Sequence, residues 1–168
     1  MKAGGAAVRI AIGSDDVGRE LKEAIAAHLR GLPGGPVCLD LSPAGGGDLD
    51  VPEVARLVAE SIRRGEADRG VLVCGTGVGM AIAANKVPGI RAAVCHDVYT
   101  AEHARNSNDV QVIVFGSRVV GGELAKRVLD AWLAAGFEPN ERRRRRMAQL
   151  AALERSYRRP TPRSPTRR

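Results

Sequence analysis

The chain has 168 residues, which is enough for one domain with a single hydrophobic core. Hydrophobic residues make up 44% of it and aromatic residues only 3%, with 20 glycines, so we expect an α/β core of small side chains. No apolar run approaches the roughly 20 residues that a membrane-spanning helix needs. Three cysteines without a C-x-x-C pair, and no signal peptide, favour the reducing cytoplasm.

The net charge of +7 is concentrated at the C-terminal end of the chain. From Arg142 onward there are eleven arginines and one glutamate, a balance of +10, which leaves −3 for residues 1–141. A basic segment can indicate binding to nucleic acid or to an acidic membrane. This one lacks the interleaved aromatic residues of a single-strand stacking surface. We therefore expect a disordered basic tail over 158–168 in preference to specific nucleic-acid binding, and no membrane partner.

Short apolar segments alternate with helical ones along the chain, after a frayed start over 1–7. Strands are predicted at 8–12, 37–41, 71–73, 91–94 and 110–115. Helices are predicted at about 18–29, 52–64, 80–84, 97–106, 121–135 and 140–157, and the Gly- and Pro-rich segment 42–50 is predicted to be a loop. This alternation predicts right-handed βαβ crossovers and a three-layer α/β/α, Rossmann-like fold around a five-stranded parallel sheet. We expect a single domain over 1–157.

The most informative motif is the glycine-rich turn Cys74-Gly75-Thr76-Gly77-Val78-Gly79, which follows the third predicted strand. Three glycines in five residues let the backbone turn sharply and approach a ligand closely. A turn between a strand and a helix presents unpaired N–H groups and a partial positive charge, which suits an anion. A phosphate cradle needs neither a thiol nor a hydroxyl. The motif therefore indicates chemistry on a bound anionic or enediolate-like species.

Polar clusters also follow other predicted strands, and ligands of parallel sheets bind outside the carboxyl ends of the strands. The clusters are Ser14-Asp15-Asp16 after the first strand and Gly116-Ser117-Arg118 after the fifth. A further cluster, over 106–109, lies at the end of a helix and before a strand. Asp15 and Asp16 have an alternative interpretation as helix caps.

Together these segments resemble the type B ribose-5-phosphate isomerases, a family that includes galactose-6-phosphate isomerase subunits. The resemblance covers about residues 8–154 and is carried by the segments 12–15, 74–79, 83–86, 89–92, 108–109 and 115–120. It implies a homodimer, often a dimer of dimers, with sites shared between subunits. It also implies aldose–ketose isomerisation through a cis-enediolate, without metal or cofactor.

The resemblance assigns Cys74 as the base that moves a proton between neighbouring carbons. A base of this kind works as the thiolate, which a nearby helix N-terminus stabilises. Thr76 would relay a proton or hold a substrate hydroxyl. The N–H groups of the turn, from Gly75, Gly77, Val78 and Gly79, would stabilise the enediolate oxygens.

The remaining site residues follow from the same resemblance. Asp15 and Asp16 fall at the first strand end, and Asn108 would bind a substrate oxygen. Arg118, Arg142 and Arg146 match the positions that grip the phosphate. The last two are four residues apart, hence on one helix face, and two guanidinium groups there can converge on one anion.

Two positions depart from the family's pattern. The family commonly has histidine where this chain has Asp16, and again where it has Ser107. The second histidine is the one assigned to opening the sugar ring. Ser107 therefore occupies a catalytic position, although serine is a poor general acid. Neither His96 nor His103 falls there.

Three explanations remain open for these departures. The substrate is a phosphate that forms no ring, such as a tetrulose phosphate; or another residue, Asp16 or His103, replaces the histidine; or the chain is a degraded or partner-dependent subunit. The default substrate pair is ribose 5-phosphate and ribulose 5-phosphate. Two other classes are a non-catalytic sugar-phosphate sensor and a nucleic-acid-associated protein that uses the arginine tail.

Overall fold

The computed structural model describes residues 7–42 and 50–157. The predictions for residues 1–6, for most of the loop at 42–50 and for the tail over 158–168 lie outside these ranges. Contacts divide the chain into two compact units, with the boundary between Glu138 and Pro139. The first unit holds a sheet and five helices, and the second holds one helix.

All five strands run parallel, in the order β2-β1-β3-β5-β4. They span β1 Arg9–Ser14, β2 Val37–Asp40, β3 Arg69–Cys74, β4 Ala92–Val94 and β5 Val112–Gly116. The chain moves outward from β1 to β2 and then crosses to β3 on the other side of β1, so β1 and β3 flank a topological switch point. The predicted five-stranded parallel sheet is confirmed.

The helices cover both faces of this sheet, which confirms the three-layer prediction. They are α1 Arg19–Gly31, α2 Val51–Arg63, α3 Val78–Ala84, α4 Val98–Asn108 and α5 Gly122–Ala134. Ile10 and Ile12 of β1 point to a core that includes residues of α1, α4 and α5, while Ala11 between them points to a core with residues of α2 and α3. The alternation follows from the two-residue period of a strand.

Helix α4 extends two residues beyond its predicted end at Asn106. Ser107 is buried inside it, and the helix closes on Asp109, which has a left-handed backbone with φ of 48°. The amides of Asp109 and Val110 both donate to the carbonyl oxygen of Ala104, which satisfies the free end of the helix. The carbonyl groups of the last turn are therefore fixed, and Asn108 becomes the last helical residue.

The second unit contains α6, Glu141–Tyr157, which has no buried residue. Asn140 caps its start by accepting a hydrogen bond from the amide of Arg143 at 2.8 Å. Within the described ranges, none of the helices combines the length and the apolar character that crossing a membrane requires.

Candidate active site

Three turns are joined at the carboxyl edge of the sheet, after β1, β3 and β5. The amide of Ser117 donates to the carbonyl oxygen of Cys74 at 2.8 Å, and the amide of Arg118 donates to that of Gly75 at 3.0 Å. The Ser117 hydroxyl donates to the carbonyl oxygen of Val17 at 3.0 Å. The turn after β5 thus fixes the other two turns relative to each other.

Two glycines allow the turns to come this close. A Cβ atom at Gly18 would lie 2.5 Å from the carbonyl oxygen of Val73, and one at Gly116 would lie 2.7 Å from the carbonyl carbon of Thr76. Both neighbours are backbone atoms, which cannot rotate away. Side chains at these positions would force the turns apart.

Cys74 ends β3 with its side chain buried against the turn. Its Sγ accepts a hydrogen bond from the amide of Gly77 at 3.1 Å. Gly77 has φ of 82°, a conformation that glycine adopts without strain, and this brings its amide back to the sulfur. The N–H donor stabilises negative charge on Sγ, as a thiolate base requires.

Three backbone amides of the turn remain available to a ligand. Those of Gly75, Thr76 and Gly79 make no hydrogen bond to any described residue, while the amide of Val78 makes a long one, 3.4 Å, to Thr76 Oγ1. Gly77 uses its amide on Cys74 and is not free for the substrate. The turn therefore offers preorganised donors beside a thiol, which is the arrangement that stabilises a developing oxyanion.

The two aspartates after β1 are engaged locally. Asp15 Oδ1 accepts from the amide of Gly18 at 2.8 Å, which closes the turn before α1 but does not cap the helix, since Gly18 is itself the N-cap residue, and the half-buried carboxylate keeps its second oxygen. Asp16 is exposed and forms a hydrogen-bonded ion pair with Arg19 one turn later. Asp15 faces the site as a fixed acceptor, whereas the Asp16 charge is neutralised by its neighbour.

Arg118 extends over the glycine turn. Its Cδ and Nε atoms lie 3.7 Å from the position that a Cβ of Gly75 would occupy, and the residue is exposed. The guanidinium is therefore available to an anion bound at the carboxyl edge. This is the position predicted for a phosphate-binding arginine.

His96 is a residue of this edge to which the sequence analysis assigned no role. It follows β4, and its Nε2 accepts a hydrogen bond from the amide of Gly116 at 2.9 Å. Burial lowers the pKa of His96, although the nearby Asp97 carboxylate opposes this. The sequence signal was a histidine directly after a predicted strand, where site residues collect.

Ser107 and Asn108 lie at the opposite edge of the sheet from Cys74. They end α4 just before β5 begins, whereas Cys74 pairs in register with Gly116 at the end of β5. At about 3.3 Å per residue, the length of β5 alone separates the two positions by more than about 13 Å. One copy of the chain does not bring Asn108 to Cys74.

The end of α4 is held rigidly by Arg91. Its guanidinium donates to the carbonyl oxygen of Asn108 at 2.9 Å, to that of Asp109 at 2.8 Å and to the Asp109 carboxylate at 2.8 Å. Arg105 holds the other carboxylate oxygen. Asn108 is exposed, so its amide side chain is presented outward from a fixed backbone.

Arg142 and Arg146 belong to the second unit. Both are exposed on α6, and their four-residue spacing puts them on one face of that helix. Their assignment to the phosphate stays a prediction.

Comparison with known proteins bears on what this edge does. The model of the family described as "Ribose/Galactose Isomerase" matches residues 10–150. The chain belongs to this family. Within it, the chain is an aldose–ketose isomerase of the type B ribose-5-phosphate isomerase kind, as the predicted resemblance implied.

Similar curated proteins act on more than one sugar phosphate. The chain is 47% identical over 146 residues to ribose-5-phosphate isomerase B of Escherichia coli, covering 87% of this chain and 96% of that one. It is 49% identical over 130 residues to D-erythrulose-4-phosphate isomerase of Pectobacterium atrosepticum, covering 77% and 84%.

A solved structure supports the same fold. The ribose-5-phosphate isomerase B of Clostridium thermocellum superposes with a TM-score of 0.84 at 43% identity, covering 89% of this chain and 99% of that one. The reaction type is therefore established, and the choice of sugar phosphate needs a separate argument.

Proposed function

We propose that this isomerase acts on a four-carbon sugar phosphate, interconverting D-erythrose 4-phosphate and D-erythrulose 4-phosphate. The observation that carries the proposal is Ser107, at the position where the resemblance expects the ring-opening histidine. A four-carbon sugar phosphorylated on its last oxygen has no free hydroxyl placed to close a furanose ring. Such a substrate is always open-chain or hydrated and needs no ring-opening acid.

The three histidines of the chain are each occupied in another way. His28 Nε2 lies 2.7 Å from a carboxylate oxygen of Asp130, and His103 stacks on Tyr99 with ring centroids 5.0 Å apart. His96 accepts the Gly116 amide and has no proton on the nitrogen that faces the site. Asp16, the other candidate replacement, is paired with Arg19. Neither a histidine nor Asp16 is therefore free at the carboxyl edge to replace the acid.

The reaction itself uses the thiol and the free amides. The Cys74 thiolate removes the proton from C2 of the aldose, and the electron pair forms the C1–C2 double bond while charge moves to O1. The amides of Gly75, Thr76 and Gly79 stabilise that enediolate. Thr76 Oγ1 moves a proton from O2 to O1, and the Cys74 thiol then returns its proton to C1. The product is the ketose, and the thiolate is regenerated.

We also propose a homodimer in which each site takes Asn108 from the second copy. The chain presents Asn108 at one edge and Cys74 at the other, so two copies are needed to complete the site.

The exposed face of α3 suits the contact between the two copies, because the side chains of Val78 and Ile82 are 53% and 58% exposed. They line a groove of about 370 Å³ with Ala81, Asn85, Lys86 and Val94. Apolar side chains this exposed favour burial against a partner.

The cytoplasm is the proposed location. The described chain has three cysteines, Cys38, Cys74 and Cys95, and all of them are free thiols. A base that works as a thiolate stays active in a reducing compartment.

A substrate panel tests the proposed function. We expect kcat/KM for D-erythrose 4-phosphate to exceed that for D-ribose 5-phosphate by at least about tenfold, since only the second needs ring opening. Cys74→Ala is the control, because it should abolish turnover of both. Equal or faster turnover of ribose 5-phosphate would overturn the four-carbon assignment and leave the isomerase assignment standing. Binding without solvent deuterium incorporation into either sugar would favour the sensor.

A further inference from the structure

The amide of Gly116 is a strand donor whose partner is a side chain. Strand β4 pairs with β5 up to Val94, and the amide of Cys95 still donates to the carbonyl oxygen of Val114 at 3.1 Å. Gly116 lies beyond that pairing and is buried, so its N–H needs another acceptor. His96 Nε2 supplies it at 2.9 Å.

The position of Gly116 controls the geometry of the glycine turn. Gly116 pairs in register with Cys74, and its Cα packs directly on the Thr76 backbone, with room for no side chain. The next residue, Ser117, donates its amide to the carbonyl oxygen of Cys74. A displacement of Gly116 would therefore move both the base and the residue that handles the second proton.

We infer that His96 is a positioning residue, and that its neutral imidazole holds the end of β5 in the place where Cys74 and Thr76 can react. The inference rests on the proposed site at Cys74 and is independent of which sugar phosphate is bound. His96 acts through Gly116 and makes no contact with the reacting atoms in this account.

The hydrogen bond requires one tautomer and one charge state. An Nε2 that accepts must carry no proton, so the ring proton lies on Nδ1. Protonation of Nε2 would place an N–H against the N–H of Gly116, and the end of β5 would lose its acceptor. The isomerase should therefore lose activity as the pH falls through the pKa of His96.

The surroundings place that pKa below the ordinary histidine value of 6.5. Burial lowers it most, and Asp97 in the same segment raises it. The titratable groups of the adjoining elements are Cys74 at the end of β3, Arg118 in the turn after β5, and the groups of α4, namely Tyr99, Glu102, His103 and Arg105. None of these groups contributes to the shift. Because the net effect lowers the pKa of His96, the acid limb assigned to it lies below pH 6.5.

Three variants separate the hydrogen bond from mere packing. His96→Gln keeps an acceptor without a titratable ring, and should retain kcat near neutral pH while losing the part of the acid limb that belongs to His96. His96→Phe keeps a ring without an acceptor, and should lower kcat by roughly tenfold or more at every pH, because a buried amide is left unpaired. His103→Gln is the matched control and should keep the wild-type profile.

The pH profiles of wild type and variants are measured with the same substrate and then compared. The ionisation of the substrate phosphate near pH 6 is common to all variants, so only the difference between wild type and His96→Gln is diagnostic. We expect the ratio of kcat at pH 7.5 to kcat at one pH unit below the measured midpoint of the His96 titration to be at least threefold smaller in His96→Gln, because a single protonation changes the rate about tenfold per pH unit. An unchanged ratio in an active His96→Gln would overturn the inference.

Nitrogen NMR of the wild-type protein decides the case even if the variants do not fold. The His96 ring should be the Nδ1–H tautomer at pH 7.5, and the Gly116 amide should shift with a midpoint below pH 6.5 as His96 titrates. An Nε2–H tautomer, or a Gly116 amide that does not respond to His96, would overturn the inference. Loss of activity in Cys74→Ala separately reports whether the site itself is correct.

Discussion

The two edges of the sheet are held together by different kinds of contact. At the carboxyl edge the contacts are between backbone segments: Gly18 and Gly116 let the turns touch, and the amide of Gly77 donates to the thiol of Cys74. At the amino edge the contacts are ion pairs, in which Arg91 and Arg105 grip Asp109 and fix the end of α4. The first edge fixes the positions of the turns around Cys74, and the second makes a rigid support that presents Asn108 outward.

This difference supports the proposal that the site is completed by a second copy of the chain. In a parallel sheet, the C-terminal ends of the helices lie at the edge where strands begin, and the C-terminal ends of the strands lie at the opposite edge. Residues just before β5 and residues just after β3 are therefore separated by the length of a strand. In the proposed homodimer, a second copy of the chain brings its amino edge to the carboxyl edge of the first. Changes at the two edges should therefore have different effects.

The largest effect is expected at the thiol. Cys74→Ala removes the base, and kcat should fall by about 10³-fold while the fold is retained, since the side chain is small and only one N–H···S contact is lost. Steady-state kinetics measures kcat, and circular dichroism measures whether the fold is retained. Cys38→Ala is the control, because Cys38 is half-buried on β2 and distant from the turn. Residual activity within tenfold of wild type would remove Cys74 from the mechanism.

The second-largest effect is expected at the amino edge of the sheet. Asn108→Ala leaves the backbone held by Arg91 but removes the side-chain amide, and kcat/KM should fall by roughly 10- to 100-fold because a bound substrate oxygen loses its partner. Stability should not change, since the side chain is exposed. Wild-type kcat/KM in Asn108→Ala would show that this edge has no part in the site.

A methyl group tests how closely the backbones at the carboxyl edge approach. Gly116→Ala places a Cβ 2.7 Å from the Thr76 carbonyl carbon, so it should cost about 1–3 kcal/mol of unfolding free energy and also lower kcat. Gly122→Ala is the matched control, because a Cβ there meets nothing within 4 Å. Denaturant unfolding and kinetics are measured on both. Equal stability of the two variants would mean that the turns are not in contact as described.

The smallest effect is expected from the ion pairs. Arg91→Lys loses the forked contact with Asp109 and should cost about 1 kcal/mol, with a modest fall in kcat because Asn108 is less well held. Arg9→Lys is the comparison, since Arg9 grips Asp68 in a similar way far from Asn108. Thermal unfolding should be affected by both changes, and kcat only by the first. A fall in kcat in Arg9→Lys as well would show that the effect is not specific to the end of α4.

The fold and the glycine turn could be predicted from the sequence because their signals are local. Apolar runs mark β3 and β5, and Gly77 marks the left-handed turn that returns an amide to Cys74. The order β2-β1-β3-β5-β4 depends on which strands pair over long distances, and no local pattern encodes it. The predicted end of α4 is too early because the closure of the helix depends on Asp109, whose left-handed backbone is held by Arg91, 18 residues earlier in the chain.

The site could be predicted in its chemistry and less well in its connections. From the sequence, Asp15 is favoured as a site residue with a helix cap as the alternative, and in the structure one of its oxygens closes the turn before α1 without capping it. The bond between His96 and Gly116 joins two strand ends that are 20 residues apart, and it exists only because β4 stops short of β5. Contacts of this kind follow from strand lengths and register, which sequence patterns do not determine to the residue.

Co-assembly of two inactive variants tests most directly whether the two edges form one site across two copies. Cys74→Ala and Asn108→Ala are each impaired alone, but a mixed dimer contains one site with both defects and one site with neither. Equal mixing should restore about a quarter of wild-type activity, because half of the dimers are mixed and each has one intact site of two. Activity no higher than that of the Asn108→Ala protein in the mixture would contradict a site shared between copies.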